Sequence, residues 1–175
     1  MSGLPGRRTG RVMLLLAWVA GLWLATRFFG DWEAGQSNPN RTPASIHTAE
    51  YTEVRLLAND QGHFVASGRI NGREVVFLLD TGATDVAVPE QLAAELGLAR
   101  GQPRAVLTAA GSGTGYRTRI DRLSLGDIEL AEVPALLMPG FDSPVVLLGM
   151  SALKHLEFTQ RAGTLVLRQD NTERP

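Results

Sequence analysis

Asp80, Thr81 and Gly82 follow directly on an apolar run, Val75 to Leu79, and the apolar pattern resumes at Val86-Ala87-Val88. The run reads as a strand buried on both faces, so the acid falls in a short loop between two core strands. An acid held there, beside apolar strands or a second carboxylate, is a candidate for acid–base chemistry. The plain alternative is a solvated turn Asp. Apolar strands on both sides of the loop weigh against it.

The other reactive side chains point nowhere so specific. The chain has no Cys, hence no disulfide, thiol nucleophile or thiolate metal site. His47, His63 and His155 lack ligand spacing, so no metal is expected. Gly111-Ser112-Gly113-Thr114-Gly115 lacks the Gly-Lys-Ser/Thr ending of a phosphate loop, and Lys154 is the one lysine. Ser112 and Ser151 have no nucleophile-elbow context. Residues 1–29 hold Arg7, Arg8, Arg11 and Arg27 and no acid; the remaining 13 basic residues face 18 acids, about −5. That balance argues against nucleic acid as a partner.

The elements that position Asp80 are short strands and turns. Val54 to Leu57 is a first strand, and His63 to Ile70 leads into Asn71-Gly72, a type I′ hairpin signal. Arg73 to Leu79 returns and delivers the acid. Pro89 opens a predicted helix, PEQLAAEL, that stops at Gly97. Ala105 to Thr108 and Tyr116 to Leu125 are strands around a Gly-rich tip, Ala109 to Gly115. Ile128 to Met138 continues as strand with an interruption expected at Pro134. Val145 to Leu148 is a continuous apolar run, ending at Gly149; one or two helical turns follow over Met150 to His155, and Leu156 to Phe158 and Leu165 to Leu167 close the domain.

At 175 residues, 44% hydrophobic and 20% charged, the chain holds one modest globular domain and an extension. Val12 to Thr26 carries no charge, Phe28 and Phe29 extend it past Arg27, and three arginines precede it. This predicts an uncleaved membrane anchor through residues 12–29 with the amino terminus cytoplasmic and the domain exported; a cleaved signal peptide is the rival. The expected divisions are 1–29 cytoplasmic N-terminus and transmembrane anchor, 30–50 flexible linker, 51–170 the folded domain that holds Asp80, and 171–175 tail. Asn40-Arg41-Thr42 matches a glycosylation sequon of little weight.

Asp80-Thr81-Gly82-Ala83 resembles the active-site motif of retropepsin-like aspartic proteases, and the likeness covers roughly residues 51–170. Val145 to Leu148 with Gly149 looks like that family's second element, and the segment around Ala109, Ala110, Gly111, Ser112 and Gly113 looks like its flap. The anchored layout is most similar to bacterial membrane-tethered members. The resemblance implies a mostly β fold, a closed β-barrel or sandwich with one or two short helices, preceded by one N-terminal transmembrane helix. It implies an aspartic endopeptidase in the bacterial inner membrane, its domain periplasmic, acting on protein or peptide substrates without metal or organic cofactor. Asp80 is then catalytic; Thr81, Gly82 and Ala83 support its loop; Leu148 and Gly149 lie beneath. One motif per chain implies a homodimer with Asp80 from each copy, since Asp121, Asp127 and Asp142 lack the Thr-Gly context. Viral members carry an acid two residues after the motif's Gly and an Arg just after the second element's Gly; here these are Thr84 and Met150. Asp85 stands one residue along, with no Arg near it in sequence. The alternative reading is a non-catalytic peptide-binding or dimerisation module of the same fold.

Overall fold

Asn71 and Gly72 both take positive φ, 49° and 80°, as a type I′ turn demands, and join β3 (Val65–Ile70) to β4 (Arg73–Leu79). A computed structural model describes residues 13, 15–24, 26, 36–108, 111–141 and 143–173. Contacts divide the chain into Met1–Ser37 and Asn38–Pro175.

In the first unit, Met13, 15–24 and Thr26 are helical, and Leu15, Leu16, Trp18, Val19, Leu22 and Trp23 are exposed. Among the described residues no helix is long and apolar enough to cross a membrane. Part of the expected span, Val12, Leu14, Ala25 and 27–29, lies outside them.

The second unit is mostly β. One sheet runs β1 (Ala44–His47), β2 (Tyr51–Leu57), β11 (Thr164–Asp170), β10 (Glu157–Arg161), all antiparallel. The other runs β3, β4, β9 (Val145–Leu148), β5 (Val86–Pro89), β8 (Ile128–Met138), β7 (Gly111–Leu125), β6 (Pro103–Thr108). β3 also meets β7 at Arg69↔Ser124 and Ile70↔Leu123, so the large sheet curls back on itself through two residue pairs. The expected barrel or sandwich thus takes the form of two sheets. Phe77, Leu56, Ile70, Ile120, Leu137 and Leu148 are fully buried in one core, each side chain worth about 1.5–3 kcal/mol of transfer.

Several expectations are corrected. β4 buries Val75 and Phe77 but leaves Val76 and Leu78 half-exposed, so only one face is fully covered. The predicted helix over PEQLAAEL is a short 3-10 turn, Glu90–Leu92, continued by turns to Gly97. β8 runs unbroken through Pro134, which pairs with Arg119; the irregularity sits instead at Glu132, at φ 53°, where one rung drops out between Ile120↔Val133 and Arg122↔Ala131 while the register stays the same on both sides. The stretch expected as a linker contains β1, and Asn38 and Asn40 within it are buried.

Asn40 works as a one-residue strand. Its Nδ2 donates to the Leu57 carbonyl (2.8 Å) and the Val65 carbonyl (2.7 Å), and its Oδ1 accepts from the Leu57 amide (2.7 Å). A side chain so occupied is no glycan acceptor in the folded protein. Asn40→Ala is expected to cost about 2–3 kcal/mol, because it strands buried backbone groups of two strands; chemical denaturation reads this as a lower midpoint, and an unchanged midpoint contradicts it.

Glu53 is a buried carboxylate on β2. Arg55 donates to one oxygen (2.6 Å), and Arg168, opposite on β11, donates to the other (2.7 Å). Hydrogen bonds from Arg55 and then Arg168 outweigh burial and hold its pKa below the ordinary 4.5. A depressed folded pKa contributes stability above the unfolded value that is lost as pH falls through the folded one. The melting temperature of the native protein is therefore expected to fall more steeply than that of Glu53→Gln as pH drops below about 4.5. Parallel melting curves for the two proteins would contradict it.

Candidate active site

β4 sets the position of Asp80. It pairs with β3 on one side and runs parallel to β9 on the other, Leu78↔Leu147 and Leu79↔Leu148. The last rungs are Leu79 N–H to the Phe64 carbonyl (3.0 Å) and Asp80 N–H to the Leu148 carbonyl (3.1 Å). Beyond that rung the chain turns, Ala83 N–H reaching back to the Asp80 carbonyl (3.2 Å), and enters β5, where Ala87 meets Leu147 from the other side. The acid therefore hangs at the end of a strand whose neighbour, β9, lies under both arms of its loop.

Asp80 is half-buried, and its Oδ1 accepts the Gly82 N–H at 2.8 Å. A Cβ on Gly82 would stand 3.2 Å from that oxygen, so glycine lets the amide approach the carboxylate unhindered. Thr81 is exposed and Ala83 half-buried.

Gly149 sits where β9 ends and a short helix, α1 (Met150–Leu153), begins. A Cβ there would lie 2.3 Å from the Asp85 carbonyl oxygen and 2.7 Å from that of Ala83. No other residue fits under the loop. The helix start then holds the loop by its amides: Met150 N–H to the Ala83 carbonyl (2.8 Å) and Ser151 N–H to the Thr84 carbonyl (2.9 Å). Leu148 and Gly149 are buried next to the Asp80 loop.

Ser151 has a role that sequence reasoning missed. Its buried hydroxyl accepts the Val86 N–H (2.9 Å) and donates to the Pro134 carbonyl (2.8 Å), tying the start of β5 to β8. Its position just after Gly149 was the available signal. The partner of Asp85 was also missed: Arg104, on β6, donates to Asp85 Oδ2 at 2.7 Å. Nineteen positions and a change of strand separate the two, so no local spacing announces the pair.

The hairpin expected as a flap is present as β6 and β7, and its Gly-rich arm is strand, with Gly111, Ser112 and Gly113 opposite Thr108, Leu107 and Val106. The tip is therefore shorter than the expected Ala109 to Gly115. Ala109 and Ala110 lie outside the described residues. Leu107 is 85% exposed beside them. Tyr116 at the base of the hairpin is half-buried and covered by the Arg100 guanidinium, 3.5 Å from the ring centroid. Of the other acids, Asp127 pairs with His47 (2.8 Å), Asp121 is exposed on β7, and Asp142 lies outside the described residues.

Three comparisons bear on this site. Residues 66–155 match the family model "gag-polyprotein putative aspartyl protease", a span that holds Asp80, the hairpin and Gly149. The crystal structure of a retropepsin-like aspartic protease from Rickettsia conorii superposes with a TM-score of 0.58 at 25% identity, covering 74% of this chain and 96% of that one. A relative from Sinorhizobium sp, "Uncharacterized protein in cobV 5'region", is 29% identical over 134 residues, 74% of this chain; the match spans 58% of the relative's length. With a strand-end Asp-Thr-Gly seated on a Gly-ended second element, and a family model spanning both, the chain belongs to the retropepsin-like aspartic protease family.

Proposed function

We propose that the chain is an aspartic endopeptidase that works as a homodimer, one Asp80 from each copy forming the catalytic pair across a two-fold axis. The observation that carries this reading is a single Asp-Thr-Gly whose half-buried carboxylate is held on a loop pinned by β9 and α1. The exposure of Thr81 supports it, since that hydroxyl is free to reach a facing copy.

The chemistry needs two carboxylates sharing one proton. The ionised one takes a proton from water as the water oxygen bonds to the scissile carbonyl carbon. The protonated one donates to the carbonyl oxygen, giving a neutral gem-diol. Collapse returns one diol proton to a carboxylate, the other carboxyl protonates the departing nitrogen, and the C–N bond breaks. Ala83 offers no hydroxyl to the ionised form, so the pH–rate maximum is expected nearer neutrality than for Ala83→Ser, whose acidic limb should move down. Coincident profiles for the two proteins would count against that.

The test is cleavage of a diverse peptide library by the full chain and by Asp80→Asn. Cleavage lost in the variant supports the reading, while equal cleavage by both, or none by either at dimer-forming concentration, sinks it. The full chain is needed because a truncation at residue 46 removes Asn38, Asn40 and part of β1. Peptide binding without cutting would favour the non-catalytic module.

We also place the domain in the bacterial periplasm, on a single inner-membrane anchor through residues 12–29. The support is an uncharged run behind three arginines, with apolar side chains exposed on its described helical part. Retention in membranes after carbonate washing tests this; release into the wash refutes it.

A further inference from the structure

Beside the Asp80 loop lies a cleft of about 700 Å³. Asp85 of that loop forms part of its wall, with Arg104 from β6 and Arg117, Thr118 and Arg119 from β7. Three cations thus face one acid. Arg104 is taken up by Asp85 at 2.7 Å. Arg119 leans on Glu132 at 3.4 Å with both side chains mostly exposed, a pair that water and salt weaken. Arg117 has no acidic partner among the described residues, and alternation along β7 puts it on the same side as Arg119. A roomy cleft walled by Arg117, which has no acidic partner among the described residues, and by the weakly paired Arg119 suits an anion.

We propose that this cleft receives an acidic side chain of the peptide substrate, with Arg117 as its pairing group and Arg119 adding to the field. The inference rests on the reading of the chain as a peptide hydrolase, and it names that enzyme's substrate class. A peptide is the source favoured by position, because the cleft shares Asp85 with the loop that carries Asp80. The Asp85–Arg104 pair keeps the wall from repelling the incoming carboxylate. A free carboxylate or phosphate has the same chemistry, and the experiment separates the two sources.

Fluorogenic peptides matched in all but one Glu or Gln, placed in turn on each side of the scissile bond, are given to the full chain. At one position or more, kcat/KM is expected to favour Glu by about tenfold, the scale of one charge-assisted hydrogen bond in a cleft. Arg117→Gln should bring that ratio close to one. Arg161→Gln, which removes an equal charge from exposed β10, should leave it standing. A native ratio within about twofold of one at every position, or a preference that survives Arg117→Gln, overturns the proposal. Binding of the same peptides to Asp80→Asn, read by fluorescence anisotropy, separates this inference from the enzymatic one. Preference for Glu in binding with no cleavage by the native chain keeps the cleft and removes the protease; cleavage without preference does the reverse. Inorganic phosphate that raises the melting temperature only when Arg117 is present, with no Glu preference among peptides, assigns the cleft to a free anion and overturns the peptide form.

Discussion

Asp80→Asn is expected to lower turnover at least about a thousandfold while leaving the fold intact. The size follows from what is removed: an amide neither takes the proton from water nor passes it on, and positioned acid–base groups contribute about 10²–10⁴ in rate. The fold survives because the loop is held by main-chain bonds, Asp80 N–H to Leu148 and Met150 N–H to Ala83, which the substitution does not touch. The one side-chain bond, Gly82 N–H to Oδ1, has an amide oxygen available in its place. Mixing gives the sharper result. If each active unit needs Asp80 from two copies, native chain diluted with Asp80→Asn under exchanging conditions loses activity as the square of the native fraction. An equal mixture then retains about a quarter of the activity of undiluted native chain at the same total concentration. Linear loss, with half retained, means that one chain suffices and the homodimer is wrong.

Gly149→Ala is the second large effect. The added methyl would stand 2.3 Å from the Asp85 carbonyl oxygen and 2.8 Å from its carbonyl carbon. Both are backbone atoms, so relief requires the loop to lift off α1, breaking the Met150–Ala83 and Ser151–Thr84 hydrogen bonds. Overpacking of this kind costs about 3 kcal/mol, or about 10 °C in melting temperature for a domain of this size. Activity should fall further than stability explains, because the displaced segment begins three residues after Asp80. A melting temperature within a degree of the native one contradicts the close approach. Cleavage at native rate in the folded variant contradicts its link to the site.

How much of this was legible depends on how local each cause is. β4 and β9 were read to the residue, because each ends in an uninterrupted apolar run closed by a turn former, and β4 starts at the Asn71-Gly72 turn. The Asn71-Gly72 hairpin was legible for the same reason: its chemistry lies in two adjacent residues. β1 and Asn40 were not. Asn40 is polar and sits among Pro, Asn and Ser, which ordinarily mark linkers, yet its partners are Leu57 and Val65, 17 and 25 positions away. The PEQLAAEL segment had good helix formers, but after Pro89 only Leu96 is buried in it, and so short a segment has little packing to extend a first turn. Pro134 looked like a break because proline cannot donate to a ladder; its carbonyl instead accepts from Ser151, a partner only the tertiary fold supplies. Of the site, the acid, its loop and the glycine beneath it were all visible in sequence. The arginines that colour the neighbouring cleft were not, since their meaning depends on which strands the hairpin brings alongside Asp85.

The loop that carries Asp80 is held largely by amides and carbonyls, with the Ser151 hydroxyl and the Arg104–Asp85 pair bracing its far end. Peptide groups are the same in every residue, so the position of the carboxylate is insulated from the identity of nearly everything around it. Thr84, exposed and used only through its carbonyl, is the clearest case of a side chain free to change without moving the reacting group. A lineage can thus redraw what the cleft accepts while the chemistry stays where it is, and variation should gather on the walls and leave the hinge between β9 and α1 untouched.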